Sequence, residues 1–375
     1  MALFAGTISG TSIDGVDVAL LDIVANEKPQ LLAAETFAYP EPLRSKLERT
    51  IIEPQCSFQQ LGELDMAIGA FHADAINQLL NQTDIQRESV TAIGSHGQTI
   101  YHAPDALHPF SLQIGNPNLI AEKTGITTIA DMRQRDMICG GQGAPMVPVF
   151  HQAMFGDKEI DRAIVNIGGI ANITILPSAP QHPITGFDTG PGNTLLDSWI
   201  QRHHQKKYDA GGQWASQGQV NTALLDQLMT DSYFKRPIPK STGREHFHLN
   251  WLQQHLDKLG TSLSPVDVQA TLLVLTCNTI VQAITQHAEQ AKEVIICGGG
   301  AHNAAMMSCL AALMPNRHVS DTTAFGINPD YVEAAAFAYL ASLTTARLPG
   351  NIPTVTGASR PTILGGVYFS NQKQD

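Results

Sequence analysis

Cysteine is scarce in this chain, and it is not arranged for pairing. Cys56, Cys139, Cys277, Cys297 and Cys309 are the five in 375 residues, an odd number with no Cys-x-x-Cys pair. That pattern argues against a disulfide framework and leads us to expect reduced, mostly buried thiols in a cytoplasmic protein. Charge is also sparse, at 15% of residues, and the net value is −11. No positive field exists to hold a nucleic acid, so no nucleic-acid partner is expected. A small phosphate ligand stays compatible, because a divalent cation and backbone N–H groups can supply the field. The N-terminus has no basic region, and Asp14 and Asp17 interrupt its first apolar run, so no signal peptide is expected. The most apolar long stretch, Ala270 to Ile284, carries Thr271, Thr276, Asn278, Thr279 and Gln282. It reads as a buried helix, and no membrane partner is expected.

Several chemical motifs are missing too. Lys240-Ser241-Thr242 has Pro239 where a phosphate-binding P-loop requires glycine, which excludes a Walker A site. His203-His204 and His246-Phe247-His248 lack partners at zinc spacing and read as solvated histidines. No Gly-x-Ser-x-Gly elbow, low-complexity segment or short solenoid repeat stands out.

What is present is glycine at the ends of apolar strands. Hydrophobic residues make up 43% of the chain, which at this length favours two well-packed domains. Gly10-Thr11-Ser12-Ile13-Asp14-Gly15 lies between two strand-like runs. Few side chains obstruct it, so backbone N–H groups and the Thr11 and Ser12 hydroxyls can approach a polyphosphate, with Asp14 beside them for a hydrated Mg²⁺. An ordinary hairpin is the alternative. A second strand–glycine–strand unit centres on Gly168 and Gly169. Then Val294-Ile295-Ile296-Cys297 runs into Gly298-Gly299-Gly300 and an Ala-rich helical stretch from Ala301. Free N–H groups and a helix dipole there would favour an anion. Three such platforms in one chain point to a duplicated fold with a nucleotide between its halves.

Strands are expected at 3–9, 16–23, 31–38, 90–95 and 126–130, and again at 163–167, 172–176, 184–187 and 294–297. A helical period covers 58–80. Mixed hairpins followed by strand–helix alternation give an α/β class. The run Cys139-Gly140-Gly141-Gln142-Gly143-Ala144-Pro145 breaks composition and reads as an inter-domain crossing. The last clear helix is expected to start at Asn328-Pro329-Asp330. The resulting division is residues 1–135 plus 330–375 for one domain and 136–329 for the other.

Four places carry candidate chemistry. Asp188, in Gly186-Phe187-Asp188-Thr189-Gly190-Pro191-Gly192-Asn193, sits at an expected strand end as a general base or as the cap of the next helix. Ser95-His96-Gly97-Gln98-Thr99 offers hydrogen-bonding groups for a sugar edge, or a polar loop with a structural His96. Glu333 faces Ala336, Phe337 and Leu340 on a helix, so it needs a partner or a ligand, unless it only answers the helix dipole. Arg133, in the cluster Asp131 to Asp136, either forks onto a carboxylate ligand or pairs locally with an Asp.

Taken together, Gly10 to Asp17, Ser95 to Thr99, Gly140 to Pro145, Asn166 to Asn172, Asp188 to Asn193 and Cys297 to Asn303 resemble the 1,6-anhydro-N-acetylmuramic acid kinases. The likeness runs along essentially the whole chain in order. Ile8 and Ile13 depart from it conservatively, standing where Met and Leu are usual. The resemblance implies two duplicated actin-like, ribonuclease-H-like α/β domains around a nucleotide cleft. It implies ATP, with Mg²⁺, as phosphoryl donor, and 1,6-anhydro-N-acetylmuramic acid and water as the other substrates, in cytoplasmic cell-wall recycling. By matching, Asp188 is the base. Gly10, Thr11, Ser12, Ile13, Asp14, Gly15, Val16 and Asp17 bind ATP, together with Gly168, Gly169, Gly298, Gly299 and Gly300. Gln98, Thr99, Arg133 and Glu333 are assigned to the sugar. A homodimer is left open. An ATP-driven binding protein of the actin or chaperone type, and a kinase for a free hexose, are the rival readings.

Overall fold

The computed structural model describes residues 2–10, 13–53 and 55–371. Contacts divide the chain into two compact units, Met1–Met154 with Tyr331–Asp375, and Phe155–Asp330. The first unit is built on β1 (Leu3–Ser9), β2 (Gly15–Asp22), β3 (Gln30–Ala38), β4 (Val90–Ala103), β5 (Phe110–Ile114), β6 (Thr128–Ala130) and a late strand at Gly366–Tyr368. That late strand pairs antiparallel with β6. From it the sheet runs β6, β4, β1, β2, β3, while β5 pairs with the far half of β4. β1 is antiparallel to β2 and parallel to β4; β2 is antiparallel to β3, and β4 is parallel to β6. β1 is buried at every position, as a strand covered on both faces must be. β3 alternates towards exposure, as an edge strand does.

The second unit repeats this order. β7 (Arg162–Ile167), β8 (Ile170–Leu176), β9 (Thr185–Pro191), β10 (Glu293–Cys297) and β11 (His318–Asp321) lie in the order β11, β10, β7, β8, β9. The β7–β8 and β8–β9 pairs are antiparallel, and β10 is parallel to β7 and to β11. In each unit the first strand stands third from the hairpin edge, with its two hairpin partners on one side and its parallel partners on the other.

Helices cover both sheets. Phe58–Asn81 opens on a reciprocal capping box between Ser57 and Gln60. Pro265–His287 starts with Ser264 capping Asp267 and Pro at the first turn, and it is the only described helix long and apolar enough to cross a membrane. Thirteen of its residues are buried, and most of the apolar ones join the core of the second unit. Val332–Thr345 brings the chain back onto β1 and β4 of the first unit. Gly6 and Gly94 permit that approach, since a Cβ on either would overlap the helix backbone at Ala334 or Phe337.

Several boundaries differ from the sequence expectation. The Gly140–Gly143 segment and residues 136–154 belong to the first unit. The reason is Asp136, whose buried carboxylate accepts from Gly143 N–H (2.9 Å), Asn351 Nδ2 (2.7 Å) and Thr356 Oγ1 (2.7 Å). This polar knot ties the glycine run to the C-terminal tail. The expected helix at Asn328 is a 3₁₀ turn, Pro329–Tyr331, and the α-helix begins at Val332. Asn328 Oδ1 accepts from Asp330 N–H within that turn. The thiols are less sheltered than expected: Cys277 and Cys297 are buried, Cys139 and Cys309 partly so, and Cys56 is exposed.

Candidate active site

In the first unit the leading turn connects β1 to β2. Thr11 and Ser12 lie outside the described residues. Ile13 N–H donates to Gly10 O (3.2 Å), and Ile13 takes a left-handed φ of 56° while its side chain is buried. Gly15 starts β2, and a Cβ there would overlap the Phe37 carbonyl. Asp14 presents a half-exposed carboxylate 3.6 Å from Arg44 Nη1. Val16 is fully buried, and the Asp17 carboxylate accepts from Thr36 Oγ1 at 2.6 Å. The part of this turn open to a ligand therefore ends at Gly15.

Ser95–Thr99 lies inside β4, not at its end, because β4 continues past it to pair with β5. Gln98 is buried. Its Oε1 accepts from Ser9 Oγ (2.5 Å) and its Nε2 donates to Thr99 O (3.1 Å), so the amide expected to face a sugar is turned into the unit. Thr99 Oγ1 accepts from Gln113 Nε2 at 3.0 Å. Arg133 neither pairs with a neighbouring Asp nor points away. Its Nη1 donates to Gly143 O (2.7 Å), and Nε and Nη2 donate to His96 Nε2 at 3.0 and 2.9 Å. An imidazole nitrogen that accepts from a guanidinium carries no proton, so Nδ1 carries it and donates to Gly97 O at 3.0 Å. Burial first, and then the Arg133 charge, hold His96 well below its ordinary value. Burial also lowers Arg133 to about 10, against the attraction of Glu333 and Asp136. Glu333, in the first turn of its helix, is raised by burial and pulled back by Arg133. Arg133, His96 and Glu333 thus form one electrostatic group. Beside it is a cavity of about 420 Å³ lined by Ser95, His96, Ser111, Gln113, Asp131 and Gln134. Ser95 Oγ is buried there with no hydrogen-bond partner among the described residues.

In the second unit the Gly168–Gly169 turn joins β7 to β8. Its carbonyls are held by the start of the helix Thr194–His204: Asn193 N–H donates to Gly168 O (2.8 Å), and Gly192 and Thr194 N–H donate to Gly169 O (2.9 and 3.0 Å). Gly298 has φ 74°, and a Cβ on it would overlap Asn166 Oδ1. The glycines do not abut an α-helix, as the sequence led us to expect. A 3₁₀ turn, Gly299–His302, intervenes, Asn303 caps Met306 N–H, and the helix is Ala304–Leu313. Gly299 lines a cavity of about 320 Å³ with Asn193, Tyr208, Asp209, His302 and Asn303.

Asp188 sits in the middle of β9, five positions before the Asn193 cap, which removes the helix-capping alternative. Its backbone is fixed from both sides: its N–H donates to Lys240 O (3.1 Å) and its carbonyl accepts from Tyr233 Oη (2.7 Å). Its Oδ2 accepts from Thr242 N–H at 3.0 Å. Desolvation raises the carboxyl from 3.8 to about 6; the Thr242 bond opposes this and the Glu245 charge adds to it. A carboxylate poised there can take a proton near neutral pH. The supporting segment, Lys240 to Glu245, reads in the sequence only as a failed phosphate loop. Its contact with Asp188 spans 54 residues, and no local pattern announces it.

Two units that repeat one strand order, 3-2-1-4-5 with the second strand reversed, define a duplicated α/β protein of the ribonuclease-H-like class. Glycine turns follow the first strand of both units and the fourth strand of the second. Residues 2–370 match the family model described as anhydro-N-acetylmuramic acid kinase. Relatives bearing that name are 47% identical in Pasteurella multocida (97% of this chain, 96% of that protein) and 48% identical in Photobacterium profundum (97% and 98%). A third, from Haemophilus influenzae, is 45% identical over 97% of each chain. The chain belongs to the anhydro-N-acetylmuramic acid kinase family.

Proposed function

We propose that the protein opens 1,6-anhydro-N-acetylmuramic acid with water and transfers the γ-phosphoryl group of ATP to the O6 so released. The products are N-acetylmuramic acid 6-phosphate and ADP, and the setting is cytoplasmic recycling of cell-wall sugar. In the anhydro sugar O6 is tied to C1 and has no proton of its own. Water must therefore attack C1 and give up a proton. The C1–O6 bond breaks, O6 attacks the γ-phosphorus, and the bond from that phosphorus to the bridging oxygen of ADP breaks. Asp188 receives the proton from water. The observation that carries this reading is its carboxylate, raised to about 6 and aimed by Thr242, in a chain of this family.

The other assignments follow the chemistry of each place. Gly10 to Gly15, Gly168, Gly169 and Gly298 to Gly300 serve the nucleotide, while Val16 and Asp17, expected there from the sequence, are engaged within the unit. Asp14 is a single half-exposed carboxylate, a donor set that suits Mg²⁺ only when phosphate oxygens and water complete the shell. Bound there, the ion would neutralise phosphate charge. Arg133 is bonded to His96, which lines the cavity of the first unit, and with Glu333 it serves the sugar, Arg133 taking the lactyl carboxylate. Thr99 supports the same strand, and Gln98 acts from behind through Ser9.

Turnover in ¹⁸O-labelled water tests the coupled chemistry. Mass spectrometry should find the label on the C1 hydroxyl and none on the phosphate. Label in the phosphate, or ADP formed equally fast without the anhydro sugar, would overturn it.

A further inference from the structure

The segment from Lys240 to Phe247 carries an arginine, Arg244, that the assignments above do not use. The segment is pinned at both ends. Lys240 Nζ donates to the carbonyls of Tyr233 (3.2 Å) and Phe234 (3.1 Å), and Thr242 N–H holds Asp188. At the other end His246 and Phe247 N–H both donate to Gly243 O, and Phe247 is fully buried, stacked on Phe234 with ring centroids 5.7 Å apart. Between these anchors Arg244 extends back across the Gly168–Gly169 turn. A methyl group on Gly169 would stand 3.2 Å from both Nε and Nη2 of Arg244, so the guanidinium lies against the turn with no side chain between them. Arg244 is exposed, and no carboxylate among the described residues comes within ion-pair distance of it. The turn's carbonyls are already taken by the helix that follows, so they do not occupy the guanidinium.

An arginine held this way, with its fork unpaired over a side-chain-free turn, suits a multiply charged oxygen acceptor. We propose that Arg244 binds the terminal phosphoryl group of the nucleoside triphosphate and stabilises its charge during transfer. The ligand class rests on the kinase reading; the position rests on the geometry of this unit alone. Because Thr242 and Arg244 are two residues apart on one anchored segment, phosphate bound to Arg244 also fixes the segment that aims Asp188. The group that accepts water's proton is then steadied by the group that is transferred.

The test uses the full chain with Arg244→Ala, Arg244→Lys and, as a check on folding, Arg244→Gln, all compared by circular dichroism. Calorimetry with ADP and with a non-hydrolysable ATP analogue needs no sugar, so it reads Arg244 even if the sugar assignment is wrong. The expected result is an analogue affinity lowered about tenfold in Arg244→Ala, with ADP affinity unchanged. In the turnover assay kcat should fall about 10³-fold, the lower range for an arginine acting on a transferred phosphoryl group, while KM for the sugar changes little. Guanidinium ion should restore part of the Arg244→Ala rate, and Arg244→Lys should stay well below wild type. Equal loss of ADP and analogue affinity, or a wild-type kcat in Arg244→Ala, would overturn the proposal. A wild-type protein that binds both nucleotides yet forms no ADP with the anhydro sugar would sink the kinase reading instead.

Discussion

Replacing Asp188 by Asn should slow the enzyme and stabilise the protein at the same time. Asn keeps the size of the side chain, and its amide oxygen can still accept from Thr242 N–H at the 3.0 Å position. It cannot accept a proton from water. Loss of a general base costs about 10²- to 10⁴-fold in rate. Burial raises the Asp188 carboxyl from 3.8 to about 6, roughly two pH units at ~1.4 kcal/mol each. The sign follows from linkage. A carboxyl raised in the folded state contributes stability fully below about pH 4, and that contribution is lost as pH rises through about 6. At pH 7.5 the wild type therefore carries a desolvated charge that the Asp188→Asn variant lacks. The ceiling is ~3 kcal/mol, and the residual solvent contact of the side chain lowers the expected gain to about 1–2 kcal/mol. Urea unfolding at pH 7.5 should show Asp188→Asn with the higher midpoint, and the difference should close near pH 4. The pH dependence of wild-type kcat/KM should have an acid limb with a midpoint near 6. A variant active at near wild-type rate would refute the base assignment, and one less stable than wild type at pH 7.5 would refute the desolvation argument.

Other substitutions probe the rest of the molecule. Arg133→Ala should raise KM for the anhydro sugar about 10- to 100-fold, since hydrogen bonds to charged groups contribute about 1.5–3 kcal/mol, while ADP affinity stays unchanged. A wild-type KM would take the lactyl carboxylate away from Arg133. Gly10→Val should weaken ATP binding in calorimetry, because a branched side chain obstructs the approach of phosphate to the turn; undiminished affinity would move the phosphate site elsewhere. Gly6→Val forces a side chain into the backbone of the helix Val332–Thr345. It should lower stability to urea by at least the ~1–3 kcal/mol typical of overpacking, and an unchanged midpoint would contradict the close helix–sheet approach.

The chain announces its repeating units through local signals. β1, β7 and β10 each read as an apolar run ending in glycine, and each is a strand of those residues within a position or two. What stays hidden depends on distance along the chain. Asp136 decides where the first unit ends, through Asn351 and Thr356 more than 200 residues away. Gln98 reads as available because it is polar and follows a strand, yet Ser9 on the neighbouring strand takes it. Arg133 has aspartates close by in sequence, and its partner is His96, 37 residues earlier. Asp188 reads as a strand end because Gly190 and Gly192 suggest a loop. β9 runs on through Pro191, since β8 offers it pairing as far as Ile170. Periodicity and turn chemistry describe neighbours in sequence, and these pairings are neighbours only in space.

The helix Val332–Thr345 completes the first unit from the far end of the chain. A ribosome releases the sheet residues Gly6 and Gly94 long before it releases Ala334 and Phe337, which must lie against them. During synthesis the first sheet therefore waits with one face of β1 and β4 uncovered while the whole of Phe155–Asp330 emerges. The interrupting unit is continuous in sequence and can close its own core in that interval. Assembly order thus runs opposite to the order of translation: the half made first is finished last, and a nascent chain stalled before Val332 would display an apolar sheet face to chaperones or to other copies of itself.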